Sequence, residues 1–207
     1  MLPILTYYKN LIISSKKWLF LAIGIFLASA AAGYAVFTVY PEFMKDILKF
    51  FQDIDTQSNS SDQRLVFVIF KQNLTSTLIS LLGGVVLALA PIAIIAFNGF
   101  VIGYVIHFLY AALPVSVLAK TFIILITLVP HGIFELSMVF ISTALGIRLG
   151  LRYLLPASKG KRFAVWKADL QSIITFIPLL IVILAIAAVV EVFVSGKLGE
   201  FLVGKLL

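Results

Sequence analysis

Cysteine is absent from the 207 residues, histidine occurs twice, and charged residues make up only 12% of the chain. Each shortage excludes something. Without cysteine there are no disulfides, no thiolate metal ligands and no cysteine nucleophile. With so few charges the chain cannot cover itself with a water-facing surface, for which soluble domains use about 25% charged residues. Motifs are also missing: no His-Glu-x-x-His helix, no Gly-x-Ser-x-Gly elbow and no phosphate-binding glycine loop occurs. An enzyme is therefore not expected, and neither is a cofactor. The few His and acidic residues match no known metal-ligand spacing, so a metal is left undecided.

Apolar residues are what the chain has in excess. They form 62% of it, and its mean hydropathy is +1.14. Lipid is the expected solvent, and the fold class is all-α, a polytopic helical membrane protein. The net charge of +7 then reflects Lys and Arg gathered in cytoplasmic loops and not a nucleic-acid surface, since no basic stripe carries stacking aromatics.

A span needs about 20 apolar residues, and the first such run is Trp18 to Tyr40. It is longer than a signal-peptide core, so it is expected to stay uncleaved. Residues 41–55 alternate Phe43, Ile47, Phe50, Phe51 and Ile54 with charged residues at helical spacing, which predicts an amphipathic interfacial helix. Further spans are expected at Leu74 to Phe97, Phe100 to Leu113, Ile133 to Leu151 and Leu170 to Phe193. The second is separated from the third by the turn signal Asn98-Gly99. Residues 115–129 are apolar but short, and are followed by Pro130-His131-Gly132.

Charge sets the arrangement. The N-terminal tail has Lys9, Lys16 and Lys17 and no acid; the segment 152–167 has five basic residues and no acid. Both are expected in the cytoplasm, while the acid-rich 41–64 segment is expected outside. The chain must then cross an odd number of times between residues 64 and 152. Four apolar pieces lie there, so one is expected to be re-entrant, and 115–129 is the shortest. The expectation is five spans, a re-entrant half-helix and an extracytoplasmic amphipathic helix in one integral domain of the plasma membrane. Its N-terminus is cytoplasmic and its C-terminus extracytoplasmic.

Backbone that is not helical at membrane depth needs shelter by protein or a wet cavity. The expected break at residues 130–132 is therefore the leading candidate site. Glu135 is an acid deep in an apolar run, a costly placement, and His131 lies four residues earlier on the same helical face. The pair suits a proton relay or a cation site; equally, Glu135 suits a first-turn acid stabilised by free N–H groups. Asn73, Asn98 and Gly99 are further candidates, as pathway-lining or inter-helix polar groups. His107 is expected to be packed and hydrogen-bonded. Lys71, Lys120, Arg148 and Arg152 are expected to reach the interfaces. Gly99 and Gly103, and Ser142, Gly146 and Gly150, have the spacing of close helix contacts, within the chain or between subunits.

Taken in order, Phe70-x-x-Asn73, Asn98-Gly99-x-x-x-Gly103, Pro130-His131-Gly132-x-x-Glu135 and Gly146-x-x-x-Gly150 resemble the stage II sporulation protein M family over roughly residues 65–152. Where that family often has a second Asn beside Asn73, this chain has Gln72 and Leu74. The resemblance implies a membrane subunit that assembles with wall-remodelling partners in spore formers, the cutting being done by a partner. Two functions follow as expectations. One is a non-enzymatic subunit or scaffold of a membrane complex, with further copies or other membrane proteins as partners in the bilayer. The alternative is a transporter or channel for a small ion or solute, using His131 and Glu135.

Overall fold

The computed structural model describes residues 2–43 and 62–196, without the side chains of residues 2–3, 126–131 and 195–196. Six helices make up this part: α1 (Leu2–Ser14), α2 (Lys16–Val39), α3 (Asp62–Leu82), α4 (Leu89–Ala112), α5 (Val117–Leu151) and α6 (Arg162–Val190). No strand occurs among the described residues. Five helical stretches are long and apolar enough to cross a membrane: Lys16–Val39, Asp62–Val85, Leu89–Ala112, Gly132–Leu154 and Arg162–Val194. The polytopic helical fold is thus present. Most of the expected interfacial helix 41–55 lies outside the described residues.

The first span matches its expected limits closely, but the next two do not. The Asn98-Gly99 turn does not exist; both residues lie inside α4. Asn98 donates its side-chain amide to the carbonyl of Ile94 one turn back, at 2.8 Å, so the helix itself satisfies the residue that signalled a turn. The chain reverses instead at residues 83–88, inside what reads as an unbroken apolar run. A short 3-10 turn, Gly83–Val85, leads to Leu87 and Ala88 at φ 49° and 60°. Left-handed backbone costs a non-glycine residue about 1–2 kcal/mol, and here burial holds it: Ala88 is fully enclosed.

The re-entrant segment also does not form. Residues 117–129 and the span after them belong to one helix, α5, which runs unbroken through Pro130-His131-Gly132. A proline removes one backbone bond, and membrane helices tolerate this because neighbours satisfy what it frees. At 1.5 Å per residue α5 is about 52 Å long, beyond the roughly 30 Å of hydrocarbon. Its spanning stretch starts at Gly132. Three spanning stretches, not four pieces, therefore lie between residues 64 and 152. The crossing number stays odd without any re-entrant piece.

The packing follows from small residues. α2 and α4 form the most extensive helix pair and run parallel. A Cβ on Gly103 would collide with the carbonyl of Ala30, and one on Gly99 with Phe26 and Ser29. α3 and α5 are also parallel, with α5 central among its neighbours. Gly146 sits against Ser80 and Pro91, and Gly150 against Gly84 and Ala88. The stripe of Ser142, Gly146 and Gly150 is thus used within the chain, to seat the 83–88 reversal on α5. The main core joins Leu81, Leu145, Leu149, Ile173, Phe176 and Leu180 from α3, α5 and α6.

Candidate functional site

Asn73 and Glu135 meet. The Asn73 side-chain amide donates to Glu135 Oε2 at 2.6 Å, joining α3 to α5. Glu135 is 9% exposed. One helical turn on from Asn73, the Thr77 hydroxyl donates to the Asn73 carbonyl, which turns the β-branched side chain back on its own helix. Two turns on, Ser80 and Thr143 share a hydrogen bond of 3.0 Å in full burial. These ties fall in register because the two helices are parallel and 73–80 and 135–143 advance together.

Glu135 does not lie in a first turn. It is deep inside α5, so free N–H groups at a helix start do not account for it. A partner side chain does. His131 belongs to α5 one turn earlier, and its side chain lies outside the described residues. Gly132 is an ordinary helical position here; a Cβ on it would touch only Leu136, at 3.3 Å. Asn98 and Gly99 do not join the pair: Gly99 belongs to the α2–α4 contact, and Asn98 bonds to Ile94 of its own helix. His107 is packed as expected: its ring stacks on Tyr34, with centroids 4.3 Å apart, and Nδ1 lies 2.7 Å from the Tyr34 carbonyl. Lys120 Nζ donates to the Tyr110 carbonyl at the end of α4.

A second polar centre escaped sequence reading. Asp169, placed before the expected start of the last span, lies inside α6 and is 2% exposed. Its Oδ1 accepts from Arg148 Nε at 2.8 Å and from Arg152 Nη1 at 2.7 Å. Arg148 Nη1 also reaches Ser14 at 3.1 Å and Ser15 at 2.8 Å, at the junction of α1 and α2. Arg148 is therefore a buried tie and not an exposed side chain. Asp169 Oδ2 is buried without a hydrogen-bond partner among the described residues. The signal available in the sequence was a lone acid within a basic stretch bordering an apolar run. Nearby, Tyr8 of α1 donates to the Thr175 carbonyl at 3.0 Å, in the turn before Pro178 of α6.

The two centres are thirteen residues apart along α5, which is about 20 Å. Both knit helices together. Among the described residues, no group of three or more His, Asp or Glu side chains could hold a metal ion.

Comparison with known proteins agrees with the family resemblance. No solved structure matches the chain. An uncharacterized protein of Methanocaldococcus jannaschii is 26% identical over 135 residues, which cover 65% of this chain and 72% of that protein. The family model of stage II sporulation protein M matches residues 19–196, a stretch that includes Asn73, Glu135, Arg148, Arg152 and Asp169, four spanning helices whole and all but the first three residues of the other. The chain therefore belongs to the stage II sporulation protein M family.

Proposed function

We propose that this protein is a non-enzymatic subunit, a scaffold within a membrane complex. In this reading it crosses the plasma membrane five times, with its N-terminus in the cytoplasm and its C-terminus outside. It assembles there with other membrane proteins or with further copies of itself, and takes no cofactor and no nucleic acid. The observation that carries the reading is the Asn73–Glu135 bond. The acid that looked most like chemistry is spent on joining α3 to α5, in a helix that is continuous where a break was expected. The small-residue stripes lend no support to self-association, because the chain's own helices occupy them. Sporulation itself is not part of the proposal. Crosslinking in native membranes followed by purification tests it: defined partners should co-purify with the full-length protein. A strictly monomeric, partnerless protein overturns it.

Transport is the second reading, favoured by one fact, a carboxylate buried at membrane depth. It requires that the reconstituted protein move an ion or solute and that Glu135→Gln abolish the flux. The scaffold reading expects no flux in either protein.

A further inference from the structure

Mean hydropathy and burial disagree in one helix. The stretch Gly132–Leu154 is the least apolar of the five and the most buried, so neighbouring helices surround its polar groups. The stretch Asp62–Val85 is nearly as polar, yet far less of it is buried. Apart from Asn73, Thr77 and Ser80, its polar side chains face outward, where hydrocarbon should be.

They lie on one flank of α3, opposite the Asn73 tie. Arg64, Lys71, Gln72, Thr75 and Ser76 line an open groove of about 810 Å³, with Ile94 of α4 among its other lining residues. Lys71, Gln72 and Thr75 are exposed and Ser76 half-buried, and none of the four has a hydrogen-bond partner among the described residues. Thr75 lies about 20 Å from Asp62 and about 15 Å from Val85 along the spanning stretch, which is near mid-membrane depth for a spanning helix. Unsatisfied amide and hydroxyl groups in hydrocarbon cost roughly 2–7 kcal/mol, and a cation costs at least as much.

Hydrocarbon tails offer nothing to these groups, and a lipid phosphate stays at the interface, above Gln72 and Thr75. A second copy fits poorly too. Two parallel α3 helices related by an axis normal to the membrane would oppose Lys71 to Lys71. Among the described residues, the acids well inside spanning stretches, Glu135, Asp169 and Glu191, are each engaged within the chain. We propose that this flank of α3 is the docking surface for one membrane helix of a partner protein, carrying a carboxylate and a second hydrogen-bonding side chain at mid-membrane depth. The carboxylate faces Lys71, and the second group faces Gln72 and Thr75. This inference rests on the scaffold reading and gives it a surface.

The test uses the full-length protein in phosphatidylcholine vesicles. The probe is a synthetic polyleucine helix with Glu and Ser one turn apart at mid-length. Energy transfer from a fluorophore at Gln63→Cys reports association. The probe should bind about tenfold more tightly than an all-leucine helix, and Lys71→Leu with Gln72→Leu should erase the difference. Leucine at exposed positions suits a lipid-facing helix; circular dichroism checks the fold, and Thr75→Val gives an independent variant. Equal binding of both probes overturns the proposal. So does displacement of the acidic probe by a tenth part of phosphatidylglycerol, which makes the occupant a lipid. Self-association lost in the same variants also overturns it, in favour of a second copy. The scaffold reading fails separately: if native partners co-purify equally with wild type and the double variant, only the surface is wrong, whereas no partner for either removes both.

Discussion

At the scale of the residue, this chain places its rare polar groups as fasteners. An interhelical hydrogen bond within a membrane is worth roughly 0.6–2 kcal/mol, and Asn73–Glu135 is one such bond. A double-mutant cycle of Asn73→Ala and Glu135→Ala, followed by thermal unfolding in detergent, should return a coupling of about 1–2 kcal/mol. Zero coupling would mean that the two side chains stand near each other without holding. The Arg148–Asp169 pair behaves differently, because both partners are buried. Removing one partner of such a pair leaves the other charge uncompensated, a loss of about 3–5 kcal/mol. Asp169→Ala should therefore destabilise the protein by that amount. Arg148→Met combined with Asp169→Leu should recover a large part of it, although Arg152 and the two serines lose a partner. If the double variant unfolds as readily as Asp169→Ala, the cost lies elsewhere than in the stranded arginine.

At the scale of the element, composition made the helices legible, but their ends were not. Apolar length identifies a span, and α2 ended where its charges and Pro41 said it would. The reversal at residues 83–88 carries no polar turn residue, because protein and not water surrounds it; local chemistry could not announce it. Asn98-Gly99 and Pro130-His131-Gly132 are turn signals in water, and both lie inside helices here, one held by its own side chain and the other carried through by the fold. Asn73 and Glu135 were visible one at a time as costly residues, but their meeting depends on the parallel register of α3 and α5. Asp169 was hidden by the misplaced start of α6. The reversal also gives a sharp prediction. Leucine at Gly150 would drive a side chain into the backbone of Gly84 and Ala88, and overpacking of this kind costs about 3 kcal/mol or more when the obstacle cannot move. Gly24 has open space around it, so Gly24→Ala should raise stability by about 0.5–1 kcal/mol through helix propensity. Unfolding midpoints of the two variants should move in opposite directions; a shared direction would show that Gly150 is not a contact point.

At the scale of the whole molecule, the folded chain brings together the segments that charge alone had assigned to one side. Ser14 and Ser15, next to Lys16 and Lys17, touch Arg148, and Arg152 shares Asp169 with it. One end of the bundle therefore collects the basic tail and the basic 152–167 segment. At the far end of α2, Tyr40 receives the Tyr104 hydroxyl at 2.6 Å, two residues before Glu42, and Asp62 opens α3. Lys and Arg are retained on the cytoplasmic side, so the first end should face the cytoplasm. The lack of cysteine makes this simple to measure, because any single introduced cysteine is the sole thiol. Gln63→Cys and Lys159→Cys both fall at exposed positions, at opposite ends of the bundle. In right-side-out membrane vesicles a membrane-impermeant maleimide should label Gln63→Cys at once and Lys159→Cys only after permeabilisation. In the five-span reading the reverse pattern would invert every span together, since an odd number of crossings puts the two ends on opposite sides. It would also turn the buried Arg148–Asp169 centre outward and move the α3 groove to the opposite leaflet, so this measurement decides from which side a partner helix meets Lys71.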